Sequence, residues 1–178
     1  MNQKRVFLAI NLPEELKEKI YSTFSEKLPE KELKKVEKEN LHVTLLFIGY
    51  VPENYVKELK EKLQSLSSAE RFDASLKGIG CFGNRVLWLG VDKNAERIVE
   101  LNKRACELLG IRDERFNPHV TLARNKRMPY VKFAKLADKL KEIKFEEIFP
   151  VESVDIMESI LLRAGPVYKK LAELKLTW

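Results

Sequence analysis

The chain contains only two histidines, and each of them opens the tetrapeptide HVTL, at residues 42–45 and again at residues 119–122. Asn40 and Asn117 stand two positions before the histidines, so the motif recurs with a spacing of 77 residues. Imidazole has an ordinary pKa of about 6.5 and can give or take a proton near neutral pH. Two histidines in matched sequence surroundings therefore indicate a site for proton transfer.

Each motif has the alternation of a half-buried β-strand. Successive side chains of a strand point to opposite faces, so the histidine and the threonine of one motif share a face. The valine and the leucine share the other face and would enter the core. His42 with Thr44, and His119 with Thr121, are therefore predicted to line polar surfaces as pairs.

Three interpretations of these residues compete. In the first, each histidine is a structural residue bonded to a nearby backbone group, but the recurrence of the threonine argues against it. In the second, the two histidines ligate a metal ion, although catalytic zinc takes a third protein ligand. Neither motif contains Asp, Glu or Cys, so a distant carboxylate would have to complete such a site.

The third interpretation is acid–base chemistry at phosphorus without a metal. An in-line displacement needs a base beside the entering oxygen and an acid beside the leaving oxygen, on opposite sides of the phosphorus. Two histidines across a cleft supply both, and each proton transfer typically contributes about 10²- to 10⁴-fold in rate. Threonine hydroxyls can donate hydrogen bonds to the nonbridging oxygens, where charge develops. Phosphodiester chemistry therefore fits these residues best.

The elements around the two motifs follow the same order twice. Apolar spacing predicts a strand, a helix, a strand and a helix in each half. These are residues 6–10, 13–28, 40–49 and 52–66, then 85–91, 94–110, 117–124 and 129–143, with further strands at 71–83, 145–159 and 174–178. The repeat predicts a single domain over residues 1–178, made of two α+β lobes related by a pseudo-two-fold axis. Such an axis places both His/Thr pairs on opposite walls of a central cleft.

Composition narrows the class of protein. The 178 residues are 44% hydrophobic and carry a net charge of +6, which fits either simple solubility or a polyanionic partner such as nucleic acid. No window resembles a membrane span or a signal peptide, and Cys81 and Cys106 are too few for a disulfide framework. A reduced, soluble, cytoplasmic protein is predicted. The excess of Lys and Glu over Gln, which occurs twice, indicates a thermophilic source.

With these motifs the chain resembles the 2H phosphoesterase superfamily, and within it the RNA 2′,3′-cyclic phosphodiesterases, also called 2′-5′ RNA ligases. The resemblance covers nearly the whole chain and rests on RVFLAI, LHVTLLFIG, GIGCFGNRVLWLGV, NPHVTLAR and ESILLRAGPVYKKL, in this order. It implies that each lobe is an antiparallel sheet with flanking helices. It also implies hydrolysis of RNA 2′,3′-cyclic phosphate ends to 2′-phosphomonoesters, with ATP-independent 2′-5′ ligation as the reverse reaction. No metal or other cofactor is expected, and the protein is expected to be a monomer.

The resemblance also assigns roles within the motifs. It makes His42 the proton donor to the leaving 3′-oxygen and His119 the base that activates water, a distinction that spacing cannot make. Thr44 and Thr121 would hold the phosphoryl oxygens. Arg124 is the further candidate for substrate contact. It follows Thr121 at an odd offset on the strand, so a bend must redirect it toward the cleft.

Other residues are candidates for RNA contacts. Basic side chains could form a track for phosphates, namely Arg127, Lys126, Arg85 and Arg5. Aromatic side chains could stack on a base, namely Phe47, Phe82 and Tyr168. Trp88 and Trp178 lie in apolar strands and are predicted to be core residues.

Two alternative functions remain open from the sequence. One is a non-catalytic module that binds RNA or a nucleotide on the same scaffold, although both intact His/Thr pairs argue against a lost active site. The other is a phosphodiesterase for a small cyclic phosphate such as ADP-ribose 1″,2″-cyclic phosphate.

Overall fold

A computed structural model describes residues 2–178, which form nine strands, four α-helices and three short 3₁₀ helices. The bounds of the strands and α-helices are β1 (Gln3–Asn11), α1 (Glu14–Thr23), β2 (Leu33–Lys35), β3 (His42–Pro52), α2 (Tyr55–Leu63), β4 (Phe72–Phe82), β5 (Val86–Val91), α3 (Ala95–Leu109), β6 (His119–Asn125), α4 (Tyr130–Lys141), β7 (Glu146–Val151), β8 (Ser153–Leu162) and β9 (Gly165–Lys175). The predicted strand–helix–strand–helix order occurs in both halves. None of these helices is long and apolar enough to cross a membrane.

The strands form one antiparallel sheet in the order β7-β4-β5-β6-β3-β1-β8-β9, with β2 added beside β6. The two motif strands, β3 and β6, meet at the centre through a single pair, Val43 opposite Val120. These valines occupy the same position of the two motifs, so the pairing has the symmetry that the repeat predicts. The α+β fold with two related halves is confirmed, and this one pair joins the sheets of the two halves into one.

The helices and the sheet enclose a continuous core. Val6, Leu8 and Ile10 of β1 belong to a hydrophobic cluster that extends through both halves of the molecule, from Val6 to Leu176. Phe7 and Ala9 belong to a separate, smaller cluster with Met157 and Tyr168. Because side chains alternate along a strand, this small cluster lies on the opposite face of the sheet from the main core.

Both motif strands contain a β-bulge at the same place. Thr44 pairs with Ala9 and Leu46 with Leu8, so Leu45 has no residue opposite it in β1. In β6 the register shifts in the same way. Thr121 pairs with Trp88 and Ala123 with Leu87, so Leu122 has no residue opposite it in β5. Each extra residue reverses the faces to which the later residues of its strand point. The bulge is the bend required for Arg124 to share the face of Thr121.

Some predicted boundaries were wrong. β3 continues past Gly49 to Pro52, and the last long strand is residues 165–175 rather than 174–178. The short strand β2 was not predicted at all. Trp178 is 91% exposed, contrary to its predicted place in the core, and the Arg71 guanidinium lies 4.0 Å from its ring centroid. Trp88 is only partly buried and lies beside His119.

Candidate active site

A cavity of about 480 Å³ opens where the two halves meet. All four motif side chains line it, namely His42, Thr44, His119 and Thr121. The strands β3 and β6 carry these residues from opposite halves, and the central valine pair holds the two strands together. The repeat therefore brings both His/Thr pairs to one site.

Backbone carbonyls determine the tautomer of both histidines. Nδ1 of His42 lies 2.6 Å from the carbonyl oxygen of Asn40, and Nδ1 of His119 lies 2.5 Å from that of Asn117. A carbonyl can only accept, so Nδ1 carries the proton in each ring and donates it. Each neutral imidazole therefore has its lone pair on Nε2, the nitrogen available for proton transfer.

The two Nε2 atoms have different partners. The Thr44 hydroxyl lies 2.8 Å from Nε2 of His42, and with this tautomer the hydroxyl donates. Nε2 of His119 has no hydrogen-bond partner within residues 2–178. His119 is therefore the histidine whose basic nitrogen is open to an entering group.

Aromatic rings flank both histidines. The Phe7 and Tyr168 centroids each lie 5.2 Å from that of His42. The Phe82 centroid lies 5.0 Å and the Trp88 centroid 5.8 Å from that of His119. One ring of each pair meets its histidine edge-on, at 85° for Tyr168 and 86° for Phe82. These rings restrict the rotation of the imidazoles and contribute to their partial burial.

Burial lowers the pKa of both histidines. It lowers the pKa of His42 to about 4, with the Asn40 hydrogen bond opposing and the charges of Lys17 and His119 adding to the effect. The pKa of His119 is also lowered by burial, with the Asn117 bond opposing and Arg124 contributing. Without ligand both rings are therefore neutral at pH 7. An anion between them would raise both pKa values.

Four cationic side chains line the cavity, namely Arg5, Lys34, Lys35 and Arg124, with Glu37 the acidic residue of the lining. Lys35 is neutralised by Glu30 at 3.0 Å. Lys34 pairs directly with Arg124 across β2 and β6. Like charges placed opposite each other are unfavourable unless an anion lies between or beside them. The cavity is therefore suited to a phosphate-bearing ligand.

Arg5 and Phe47 form a unit on the other wall. The Arg5 guanidinium lies 4.8 Å from the centroid of the Phe47 ring, which is 50% exposed. Phe47 follows His42 by five residues, as Arg124 follows His119. The two bulges thus redirect an aromatic ring on one wall and a guanidinium on the other.

The cavity includes some predicted contact residues and not others. Arg5, Phe47, Tyr168 and Arg124 line it. Its lining does not include Arg127, Lys126, Arg85 or Phe82. Substrate contact by Arg127 therefore stays a prediction without support from the cavity.

Sequence reasoning missed the lysines of β2. Lys34 and Lys35 enter the site because β2 adds to the edge of β6. A three-residue strand within a charged stretch has no periodicity that could reveal it. The turn of the β8–β9 hairpin, Ala164–Pro166, was also missed as part of the lining.

Side chains that could ligate a metal are scattered over the described chain. No group of three or more His, Cys, Asp or Glu side chains lies close enough together in residues 2–178 to hold a metal ion. The groups of the cavity that can exchange a proton near neutral pH are its two histidines.

The sequence matches known proteins along most of its length. Residues 12–160 match the profile of the 2′-5′ RNA ligase superfamily. The chain is 38% identical over 178 residues to the RNA 2′,3′-cyclic phosphodiesterase of Methanocaldococcus jannaschii, covering 95% of this chain and 99% of that one. It is 40% identical over 154 residues to the protein of the same name from Aeropyrum pernix, covering 80% and 86%.

Solved structures share the fold. TT0787 of Thermus thermophilus superposes with a TM-score of 0.76 at 30% identity, over 97% of each chain. Apo LigT of E. coli superposes with a TM-score of 0.81 at 23% identity, over all of both chains. At this identity, the comparison with E. coli LigT shows a shared fold only.

Proposed function

The chain belongs to the 2′-5′ RNA ligase superfamily of 2H phosphoesterases, and we propose that it hydrolyses RNA 2′,3′-cyclic phosphate ends to 2′-phosphomonoesters. The relatives from Methanocaldococcus jannaschii and Aeropyrum pernix are named as RNA 2′,3′-cyclic phosphodiesterases. The proposed mechanism needs no metal and uses two histidines. The observation that carries it is the placement of both His/Thr pairs around one cationic cavity.

In this mechanism the cyclic phosphate lies between the histidines. Thr44 and Thr121 donate hydrogen bonds to its nonbridging oxygens, and Arg124 balances its charge. Thr44 exchanges its bond to His42 Nε2 for a bond to the phosphate. The nitrogen released in this way is then free to carry a proton toward the 3′-oxygen.

The displacement moves two protons. His119 Nε2 takes a proton from water as the water oxygen attacks the phosphorus. The bond between phosphorus and the 3′-oxygen breaks, and the protonated His42 gives its Nε2 proton to that oxygen. The product has a phosphomonoester on the 2′-oxygen and a free 3′-hydroxyl.

The surroundings of the histidines support this division of roles. The open Nε2 of His119 suits a base that meets an entering water. Burial lowers the pKa of His42 to about 4, so its imidazolium, formed with a proton from solvent, gives up that proton readily. A strong acid suits protonation of a leaving alkoxide.

The same site would also perform ligation, with a different entering oxygen. A 5′-hydroxyl in place of water attacks the cyclic phosphate and yields a 2′-5′ phosphodiester. The 3′-oxygen is again the leaving group, so the reaction needs no ATP. Ligation and hydrolysis then differ only in the entering oxygen.

The test is turnover of a nucleoside 2′,3′-cyclic phosphate in the presence of EDTA. Each single substitution His42→Asn and His119→Asn is expected to lower kcat by about 10²- to 10⁴-fold. Lys31→Gln, an exposed change outside the cavity lining, is the control. Full activity in both histidine variants would disprove the mechanism, and loss of activity with EDTA would favour a metal. Binding of a 2′-nucleotide without turnover would mark a binding module.

The substrate class needs a separate comparison. We expect faster turnover, as kcat/KM, of an RNA ending in a cyclic phosphate than of ADP-ribose 1″,2″-cyclic phosphate. The cationic lining can contact additional phosphates of an RNA chain. A preference for the ADP-ribose compound would reverse this assignment.

A further inference from the structure

The two histidines have different neighbours on the strand beside them. Asn11 lies opposite His42, and its side chain donates a hydrogen bond to Asp155 at 2.6 Å. Gly90 lies opposite His119 and has no side chain. The first half therefore fills the position beside its histidine with an amide, whereas in the second half the Trp88 ring covers it, 3.1 Å from where a Cβ at Gly90 would lie.

Trp88 and Phe82 lie beside the ring of His119. Trp88 pairs with Thr121 on the same face of the sheet as His119. Its indole lies over Gly80, where an added Cβ would come within 2.3 Å of the ring. The Phe82 centroid lies 5.4 Å from that of Trp88. The two rings and Gly90 form a shelf, which we call the His119 shelf.

The shelf is exposed at Phe82, while Trp88 is partly buried, as Tyr168 is at His42. Phe7 is only 5% exposed, whereas Phe82 is 41% exposed. Neither Phe82 nor Trp88 lines the main cavity, although both contact the ring of His119. Arg85, in the same turn as Phe82, adds a positive charge. Flat aromatic rings beside a cation are the usual elements of a single-stranded nucleic-acid site.

We propose that the His119 shelf binds the first nucleoside of the 5′-hydroxyl RNA strand that enters in ligation. The proposal rests on the proposed function, because it extends the same site to a second substrate. The entering oxygen must approach the phosphorus opposite the leaving 3′-oxygen, on the side of the base His119. The cyclic phosphate nucleotide occupies the main cavity, and the base of the second strand stacks on the shelf.

The ligation step exchanges one bond to phosphorus for another and moves two protons. The 5′-oxygen forms a bond to phosphorus and its proton passes to Nε2 of His119. The bond from phosphorus to the 3′-oxygen breaks, and His42 supplies the proton to that oxygen. The product is a 2′-5′ phosphodiester beside a free 3′-hydroxyl, and solvent returns the histidines to their starting protonation.

Tryptophan fluorescence offers a test that does not depend on turnover. Trp88 and Trp178 are the two tryptophans, so Trp178→Phe leaves Trp88 as the reporter. The main cavity is first saturated with a nucleoside 2′-monophosphate. A 5′-hydroxyl dinucleotide is then titrated, and saturable quenching of Trp88 is expected.

Two changes should weaken this binding. Base stacking contributes about 1–3 kcal/mol, so Phe82→Ala in the Trp178→Phe background should raise the Kd about 5- to 150-fold. A dinucleotide whose first residue is abasic should bind about equally weakly to both proteins. Phe82→Tyr should retain binding, and Tyr130→Ala, which removes an exposed aromatic ring outside the cavity lining, should have no effect.

The proposal is overturned if the normal and abasic dinucleotides bind the parent equally, or if Phe82→Ala binds like the parent. In ligation, Phe82→Ala should raise the KM for the 5′-hydroxyl strand more than the KM for the cyclic phosphate strand. The opposite order would place the shelf with the first nucleotide instead. Hydrolysis of the cyclic phosphate by the parent tests the proposed function separately, so the two failures are distinguishable.

Discussion

The two catalytic candidates are the same residue type in the same four-letter motif, and their surroundings make them different. His42 is enclosed by Phe7 and Tyr168, and its Nε2 is bonded to a hydroxyl. His119 lies beside Trp88 and the exposed Phe82, with its Nε2 unbonded in the described chain. Burial therefore lowers the pKa of His42 to about 4 and also lowers that of His119, while only His119 is ready to accept a proton from an entering group.

The pH dependence of the reaction follows from the lowered pKa values of both histidines. In the proposed mechanism the productive free enzyme holds one proton, with His42 protonated and His119 neutral. The singly protonated form is most populated between the two pKa values, and both lie below 6.5. We expect kcat/KM for a nucleoside 2′,3′-cyclic phosphate to be bell-shaped, with its optimum on the acid side of pH 6.5 and a fall toward pH 8. An optimum above pH 7 would contradict this expectation.

Among the secondary-structure elements, β3 and β6 position the site, because their bulges set which side chains face the cavity. Leu45, the extra residue of β3, has no residue opposite it, and its carbonyl accepts a hydrogen bond from Nδ2 of Asn102 at 2.8 Å. Asn102 belongs to α3, is buried, and also donates to Asp113 at 3.0 Å. Helix α3 of the second half thus supplies a hydrogen-bond donor to the Leu45 carbonyl at the bulge of the first half. This bond holds the backbone between Thr44 and Phe47 in place.

We expect Asn102→Leu to lower the free energy of unfolding by about 1–3 kcal/mol, because it leaves a buried carbonyl without a donor. As a positioning residue Asn102 should also affect kcat, since Thr44 loses its fixed backbone. Denaturant unfolding and kcat measured on the same preparations check both effects. Lys103→Ala, an exposed change one position along α3, is the control. Unfolding at the parental denaturant concentration would show that the hydrogen bond contributes nothing.

The short strand β2 supplies two lysines to the cavity and one residue, Leu33, to the core. Lys34 lies opposite Arg124, and its Nζ is 3.4 Å from the carbonyl oxygen of Ala164 in the β8–β9 turn. Two cations side by side repel each other in the empty site and share an anion in the filled one.

Lys34→Gln should therefore act in opposite directions on stability and on binding. We expect a slightly more stable free protein, and a KM for cyclic phosphate RNA raised about tenfold by the loss of a charge-assisted hydrogen bond. The effect on KM should diminish as salt is added. Lys31→Gln, an exposed lysine three residues away, is expected to change neither. An unchanged KM with reduced stability would mean that Lys34 serves the fold alone.

At the scale of the molecule, the two halves are interleaved along the chain. The strands of the second half run from β4 to β7, within residues 72–151. The first half needs strands from both ends, residues 3–52 and 153–175. One hydrophobic cluster extends through both halves, so neither can form its core without the other.

We therefore expect one cooperative unfolding transition for the whole chain. Fluorescence, circular dichroism and calorimetry should report coincident midpoints. We also propose a monomer, because both walls of the cleft come from one chain, and sedimentation should give a mass near 20.8 kDa. Two separate transitions would show that the lobes are independent domains.

The sequence by itself determined the repeat and predicted the acid–base chemistry. Two HVTL motifs with matched flanking elements predicted the α+β fold, the facing His/Thr pairs and the bend before Arg124, because strand alternation and helix periodicity are local properties of the chain. These predictions about the fold are confirmed by the strand order and by the two bulges.

Only the tertiary structure decided which surroundings each histidine receives. Lys34 lines the cavity because a three-residue strand pairs with β6, and Asn102 of the other half donates a hydrogen bond to the backbone of β3. Trp88 lies beside His119 instead of in the core. Such placements depend on pairing between distant segments, which leaves no periodic signal in either segment. The identical motifs differ in pKa and in access for the same reason, since burial is a property of the assembled fold.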